Sequence, residues 1–132
     1  MKAKHELIGE VRGKGLMIAI EFQEPDSFML KTAWKLIHKL DKGLFAQMVV
    51  TTMLNHHRIL TQVAAHNSDV MKILPPLIIT EKEVDRFVNG LDATLTECRK
   101  FPGPIWELGQ NFFKAALQNK AQKEGKGELV GA

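Results

Sequence analysis

The chain has 132 residues, 45% of them hydrophobic and 25% charged, with a formal net charge of +3. This is the size and composition of one ordinary globular domain, and no apolar run approaches the roughly 20 residues that cross a bilayer. Basic and acidic residues interleave and the N-terminal residues lack a signal-peptide core, so we predict no nucleic-acid partner, no membrane association and a cytoplasmic location.

The first elements in chain order indicate a strand hairpin. Residues 2–8 are interpreted as the end of a helix. Residues 16–22 then alternate in polarity with period two, which predicts a strand. Gly13 and Gly15 suit a tight turn before this strand. One face of this strand carries Leu16, Ile18, Ile20 and Phe22, and the other carries Met17, Ala19 and Glu21.

Two helices are predicted next. Pro25 to Ser27 is a helix-start signal, and Gly43 is interpreted as the terminator of this first helix. Its apolar positions are Ala33, Trp34, Ile37 and Leu40. A second helix is predicted from Leu44 to about His57. Its buried stripe would consist of Leu44, Phe45, Met48, Val49 and Thr52.

The next segment predicts two strands, a diproline exit and a capped helix. Residues 59–65 and 70–74 are expected to pair as antiparallel strands, and Pro75 and Pro76 end the ladder because they lack amide hydrogens. Thr80 and Glu83 have the spacing of a capping box for the helix that follows. The apolar stripe expected on this helix is Val84, Phe87, Val88, Leu91 and Leu95.

The end of the chain is predicted to be a last helix and a polar tail. The helix would follow Pro104 and turn Ile105, Leu108, Phe112 and Ala116 inward. Residues 118–132 lose periodicity and are interpreted as a frayed or disordered tail, so the domain is predicted over residues 1–117. Elements in this order favour an α+β fold, a small antiparallel or mixed sheet with helices packed on one face. The other face of such a sheet would need a partner.

Two blocks of sequence resemble a known family. Residues 11–22, Val-Arg-Gly-Lys-Gly-Leu-Met-Ile-Ala-Ile-Glu-Phe, and residues 70–88, which contain the strand, the two prolines and the capping box, resemble the C-terminal small domain of class III pyridoxal-phosphate-dependent aminotransferases. The group in question acts on ornithine, acetylornithine, 4-aminobutyrate and putrescine. The resemblance covers about residues 6–99 and implies the small domain of a fold-type I aminotransferase.

The resemblance also implies what the chain lacks. In this family the large domain supplies the Schiff-base lysine, the acidic partner of the pyridine nitrogen and the phosphate-binding loop. None of these motifs is found here, so pyridoxal phosphate is expected in the parent enzyme and no cofactor on this chain alone. No catalytic residue is assigned.

The resemblance places one candidate substrate-binding residue, Lys72. Many family members have an arginine at this position, which holds the substrate α-carboxylate as a bidentate fork. A lysine offers a point charge without the fork, so this departure fits an amine or polyamine substrate, or a substrate held elsewhere. A strand-edge lysine that extends to water is the alternative.

Other candidates are weaker. His56 and His57 are adjacent and point about 100° apart on a helix, so no metal site is predicted. Arg12 to Gly15 is interpreted as a hairpin turn and not a phosphate loop, because a strand follows it. The role of Glu21 is left open: its carboxylate pairs with Arg12, pairs with a cation of a partner chain, or lies in water. Cys98 is interpreted as a packing residue, and Trp34 and Trp106 as core or interface anchors.

Two functional hypotheses follow. The first is a fragment or split small domain of a class III aminotransferase, inactive alone, broken near the domain boundary at Met1 and completed by the large cofactor-binding domain. The second is a non-catalytic interaction module, either a homo-oligomer that buries an apolar sheet face against its own twin or a cap on another protein.

Overall fold

The computed structural model of the chain describes residues 1–100 together with residues 103, 106, 107, 111, 114, 115 and 118. Four strands and three helices lie within residues 1–100. They are β1 (Ile8–Lys14), β2 (Met17–Phe22), α1 (Phe28–His38), α2 (Leu44–His57), β3 (Gln62–Val63), β4 (Val70–Ile73) and α3 (Glu81–Cys98). None of the helices in the described part is both long and apolar enough to cross a membrane.

The strands form one antiparallel sheet in the order β1-β2-β4-β3. The predicted hairpin is confirmed, with a two-residue turn between β1 and β2 in which Gly15 takes a φ of 59°. Gly13 lies inside β1, where a Cβ atom would come 2.6 Å from the carbonyl oxygen of Met17. The two glycines therefore do different things: one turns the chain and the other lets two strands approach.

The core lies between one face of the sheet and the helices. Phe45 of α2 is fully buried, with ring centroids 5.2 Å from Phe22 of β2 and 4.8 Å from Trp34 of α1. The predicted bounds of α2 are confirmed, and all five positions of its predicted stripe are buried. The α+β fold with its helices against the sheet is confirmed.

The N-terminus of α1 is capped from a distance. Ser27 stands at the N-cap but makes no side-chain capping bond. Instead the carboxylate of Glu6 accepts hydrogen bonds from the backbone N–H groups of Asp26, at 2.9 Å, and Ser27, at 3.1 Å. A negative charge is favourable there because the helix dipole places partial positive charge at this end.

Two predicted boundaries in the first half of the chain are wrong. Residues 2–4 form turns rather than the end of a helix, and β1 already begins at Ile8. Gly43 does not end α1, which stops at His38; it is the N-cap of α2, with its backbone N–H held 2.7 Å from the carboxylate of Asp41.

The predicted strand over residues 59–65 shrinks to β3. The chain leaves α2 through Arg58 in the left-handed conformation, and the N–H of Ile59 still bonds the carbonyl of Met53 at 3.1 Å. Because the chain is still turning there, only Gln62 and Val63 reach the edge of the sheet and pair with β4.

The capping box of α3 is confirmed. Glu83 accepts hydrogen bonds from the backbone N–H of Thr80, at 2.9 Å, and from its hydroxyl. These bonds, the hydroxyl bond first, lower the pKa of the Glu83 carboxyl. The start of the helix is therefore fixed by its own first turn.

Only the second half of α3 is packed as predicted. Leu91 and Leu95 are buried, whereas Val84 and Val88 are 45% and 38% exposed. A helical period shows that side chains share a face, but not that another element covers it. Phe87 packs against the edge of the core, whereas no described part of the chain fully covers Val84 and Val88.

The predictions for the C-terminal segment fall largely outside the described residues. This applies to Ile105, Leu108, Phe112 and Ala116 and to residues 119–132. Trp106 is buried, and its indole N–H donates to the carbonyl oxygen of Cys98 at 2.9 Å. The interpretation of Trp34 and Trp106 as anchors agrees with the burial of both rings.

The capping box allows one stability prediction. Replacing Thr80 by Ala removes the capping hydroxyl, and we expect the free energy of unfolding to fall by about 1 kcal/mol. Urea unfolding followed by circular dichroism measures this loss. Thr80→Ser keeps the hydroxyl and should restore most of the stability, so equal losses in the two variants would contradict the capping role.

Candidate functional site

The face of the sheet opposite the helices carries Lys72. The register of the strands aligns Arg12 of β1, Ala19 of β2, Lys72 of β4 and Gln62 of β3 in one row across the sheet. β4 lies between β2 and β3, so Lys72 is on an interior strand and is half-buried. The edge position in the alternative is therefore wrong, while extension of the Lys72 side chain to water stays a prediction.

Lys72 lines an open cavity of about 600 Å³ on this face, which we call the face cavity. Its walls come from β1, β2, β4 and residues 64–70, with Arg12, Ala19 and Val70 among them. Within the described part of the chain, no carboxylate lies within 4 Å of the Lys72 ammonium. A half-buried cation without a counter-charge favours binding of an anion.

Arg12, the neighbouring cation in the row, is already paired. Its guanidinium donates to Glu21 at 2.5 Å and to Glu10 at 3.0 Å. The hydrogen bond that Arg12 donates to Glu21 is the main reason that the pKa of Arg12 is raised. Of the three alternatives left open for Glu21, pairing with Arg12 is the one observed. Lys14 lies at the exposed hairpin end of the same face, so Lys72 is the cation at its centre.

The open face carries both charged and apolar side chains. Alternate positions of β1 and β2 place Glu10, Arg12 and Glu21 on it, and Met17 and Leu74 are exposed apolar side chains of the same face. Charged residues on this face suit a polar ligand or a polar interface better than a dry contact between twins.

The residues of this face do not fit pyridoxal phosphate. Holding that cofactor takes a lysine for covalent attachment, an acid beside the pyridine nitrogen and free N–H donors for the phosphate. Around Lys72 the strands are paired on both sides, β2 with β1 and β4, and β4 with β2 and β3. Strand amides in such a ladder are committed to each other, and the nearby acids are committed to Arg12. What the face offers is one cation for a ligand's carboxylate.

The other candidates from the sequence take simple structural roles. The rings of His56 and His57 have centroids 6.5 Å apart, at 57° to each other. Cys98 is fully buried, and burial raises the pKa of its thiol, which fits a packing residue. The segment from Arg12 to Gly15 is the hairpin, as predicted.

Sequence reasoning missed a part-buried ion pair between α1 and the residue that precedes β4. His38, the last residue of α1, contacts the carboxylate of Asp69 through Nε2 at 2.5 Å and the carbonyl oxygen of Trp34 through Nδ1 at 2.9 Å. Both partners are acceptors, so the two bonds form together only when both ring nitrogens carry protons and the imidazole is charged. Asp69 directly precedes β4, and the pair therefore ties α1 to the strand that carries Lys72.

Comparison with known proteins gives one consistent family. The family described as aminotransferase class III matches residues 1–95. An acetylornithine aminotransferase of Caldanaerobacter subterraneus is 32% identical over 99 residues, which are 75% of this chain and 20% of that protein. The aminotransferase PigE of a Serratia species is 26% identical, over 75% of this chain and 15% of its own length.

Solved structures agree with the sequence matches. A transaminase structure determined with L-alanine superposes with a TM-score of 0.55 and 28% identity, over 72% of this chain and 20% of that one. An omega transaminase from Pseudomonas jessenii, a six-fold mutant, gives a TM-score of 0.53 at 25% identity. The chain thus spans about a fifth of the length of the relatives it matches.

Proposed function

The chain belongs to the class III aminotransferase family, and we propose that it serves as the small C-terminal domain of such an enzyme, as a fragment or a split subunit. The reaction would be transfer of an amino group from an amine or amino acid to a 2-oxo acid. The parent group would be the one that acts on ornithine, acetylornithine, 4-aminobutyrate and putrescine. The observation that carries this proposal is the match over residues 1–95 to a fifth of full-length aminotransferases.

In this proposal the chain supplies one wall of an active site. Pyridoxal phosphate, when bound, would act as the electron sink, and a large domain outside this chain would hold it. Lys72 would hold a substrate carboxylate at the centre of the open face. The uncompensated charge of Lys72 and the face cavity beside it support this role.

The direct test is whether the chain works alone. We expect the purified chain to show neither the absorbance of bound pyridoxal phosphate nor turnover of amino donors, because the open face does not fit the cofactor. Cofactor binding with turnover by the chain alone would overturn the fragment proposal.

A second test addresses Lys72 in a complete enzyme. The chain would replace the matching segment of the Caldanaerobacter acetylornithine aminotransferase, and the chimera would be assayed with a 2-oxo acid acceptor. We expect Lys72→Met to lower kcat/KM by about 30-fold or more, the effect of removing one partner of a desolvated charge pair.

Two further variants control this measurement. Lys72→Arg should retain activity and favour amino-acid donors, because a guanidinium can form a fork with the α-carboxylate. Lys82→Met on exposed α3 removes a lysine away from the face cavity and should leave kcat/KM unchanged. Equal effects at positions 72 and 82 would contradict the assigned role.

The second candidate function is a protein-interaction module. It is favoured by the exposed apolar side chains outside the sheet face, of which Leu77 and Ile78 are 93% and 86% exposed. Such residues indicate a covering partner, either the large domain or a twin. Light scattering on the purified chain distinguishes a covering large domain from a second copy of the chain. A monomer at all concentrations argues against the second copy.

A further inference from the structure

A second cavity shares Lys72 and Leu74 with the face cavity. It is a cleft of about 570 Å³ between the segment that leaves α2, the diproline end of β4 and the first turns of α3. We call it the diproline cleft. Its volume falls within the range of about 300–1,000 Å³ usual for small-molecule sites.

The walls of the diproline cleft are apolar. Ile59, Ile73 and Phe87 form part of the lining and are half-buried. Leu60 and Leu74 border the same cleft and are 82% and 53% exposed. Large apolar side chains left in water around a concave surface favour an apolar occupant.

Three cations surround these apolar walls. Arg58, Lys72 and Arg86 line the cleft, and Glu83 is its only acidic residue among the described ones. The Glu83 carboxylate is engaged by Thr80 in the capping box. Within the described part of the chain, neither Arg58 nor Lys72 has a carboxylate within 4 Å. The cleft is therefore apolar and carries surplus positive charge.

Arg58 occupies a position that normally suits a different residue. It is the C-cap of α2 with φ 56° and ψ 39°, a left-handed conformation that glycine or asparagine adopts at least cost. Strained backbone at a cleft is a common feature of ligand sites. Arg86 supports this corner, because its guanidinium donates to the carbonyl oxygen of His57 at 3.0 Å and thus ties α3 to the end of α2.

We infer that the diproline cleft binds an amphipathic monocarboxylate, whose chain lies against Ile59, Ile73 and Phe87 and whose carboxylate meets Arg58. The combination of apolar walls with unpaired cations favours this class over a neutral apolar molecule, which would leave the charges unused. The same combination favours an amphipathic monocarboxylate over a short dicarboxylate, because a short dicarboxylate would leave the apolar walls exposed. The inference does not rest on the aminotransferase proposal.

The test is a titration of the whole chain with octanoate, followed by amide chemical shifts of the cleft residues. Octanol and glutarate serve as probes that lack the charge or the apolar chain. We expect saturable octanoate binding, with octanol and glutarate each about tenfold weaker or more, as for loss of a charged hydrogen bond or of several buried methylenes. Octanol binding as tightly as octanoate, tighter glutarate binding, or no saturable octanoate binding would each overturn the inference.

A pair of variants assigns the anion contact. Arg58→Asn removes the charge while keeping a residue that tolerates the left-handed conformation, so the fold should persist. We expect octanoate to bind about tenfold more weakly to this variant. Arg99→Gln, at the far end of α3 and outside the cleft, is the matched control and should bind as the unmodified chain does. Unchanged affinity in Arg58→Asn would overturn the assignment.

Discussion

The Phe45→Ala variant is expected to lose a large share of the free energy of unfolding. The ring is fully buried and contacts aromatic rings from three parts of the chain: Phe22, Trp34 and Trp106, the last with centroids 6.1 Å away. Truncation of such a residue costs about 3–5 kcal/mol, and a domain of this size has about 5–15 kcal/mol in total. One side chain thus accounts for a large share of the stability.

Tryptophan fluorescence during urea unfolding measures this effect, because Trp34 lies beside the truncated ring. The matched control is Phe28→Ala, which removes the same group from a site that is 87% exposed and should cost little. A loss of under about 1 kcal/mol in Phe45→Ala would show that the three elements are not joined through this ring.

The second large expectation concerns pH. We expect the stability contributed by His38 to be complete below about pH 6.5 and to disappear as the pH rises through its folded-state value. Burial of the ring opposes its charge, but the hydrogen bond and charge of Asp69, together with the Trp34 carbonyl, raise the pKa of His38 above its ordinary value. Asp41 adds to the effect, and Glu24 lies close enough to interact.

Whether stability rises or falls with pH follows from the direction of the His38 pKa shift. A histidine whose pKa is higher in the folded state binds its proton more tightly there, so deprotonation favours unfolding. Hydrogen bonds to a charged group contribute about 1.5–3 kcal/mol, and we expect the lower end because burial of the ring opposes its charge.

Urea unfolding at a series of pH values between about 5 and 9 checks this expectation. In His38→Gln the decline of stability through the neutral range should flatten. His56→Gln, which removes an exposed histidine at the end of α2, should keep the decline. If His38→Gln and the unmodified chain show the same slope, the pair does not control the pH dependence.

Some helix and strand ends were predictable because residues next to them in the sequence determine them. The bounds of α2 and the capping box at Thr80 are set by neighbours within a few residues, and both were confirmed. The diproline exit at Pro75 and Pro76 works in the same way, since the missing amides end β4 wherever the strand lies in the sheet.

Contacts between residues that are far apart along the chain could not be predicted from the sequence. Glu6 caps α1 from 20 residues away, and His38 meets Asp69 over a separation of 31 residues. Neither pair has a local pattern that would mark it. The predicted packing of Val84 was wrong for a related reason. Val84 does lie at a helical period with the other apolar residues of α3, but nothing in the described chain covers it.

The candidate site was predictable only through the resemblance. Lys72 was singled out by its place before the prolines, and the register of the sheet then put it at the centre of the open face. The pairing of Arg12 with two acids, which leaves Lys72 uncompensated, depends on side-chain positions across two strands. The diproline cleft depends on how far α3 extends past the core, which periodicity does not reveal.

Lys72 borders both cavities, and this has a consequence for any enzyme that contains the chain. A carboxylate held by Arg58 in the diproline cleft also lies in the field of Lys72, so an anion there weakens the hold of Lys72 on an anion over the open face. By thermodynamic linkage the antagonism is mutual and equal in free energy. A molecule that never touches the reacting atoms would in this way lower the affinity for substrate.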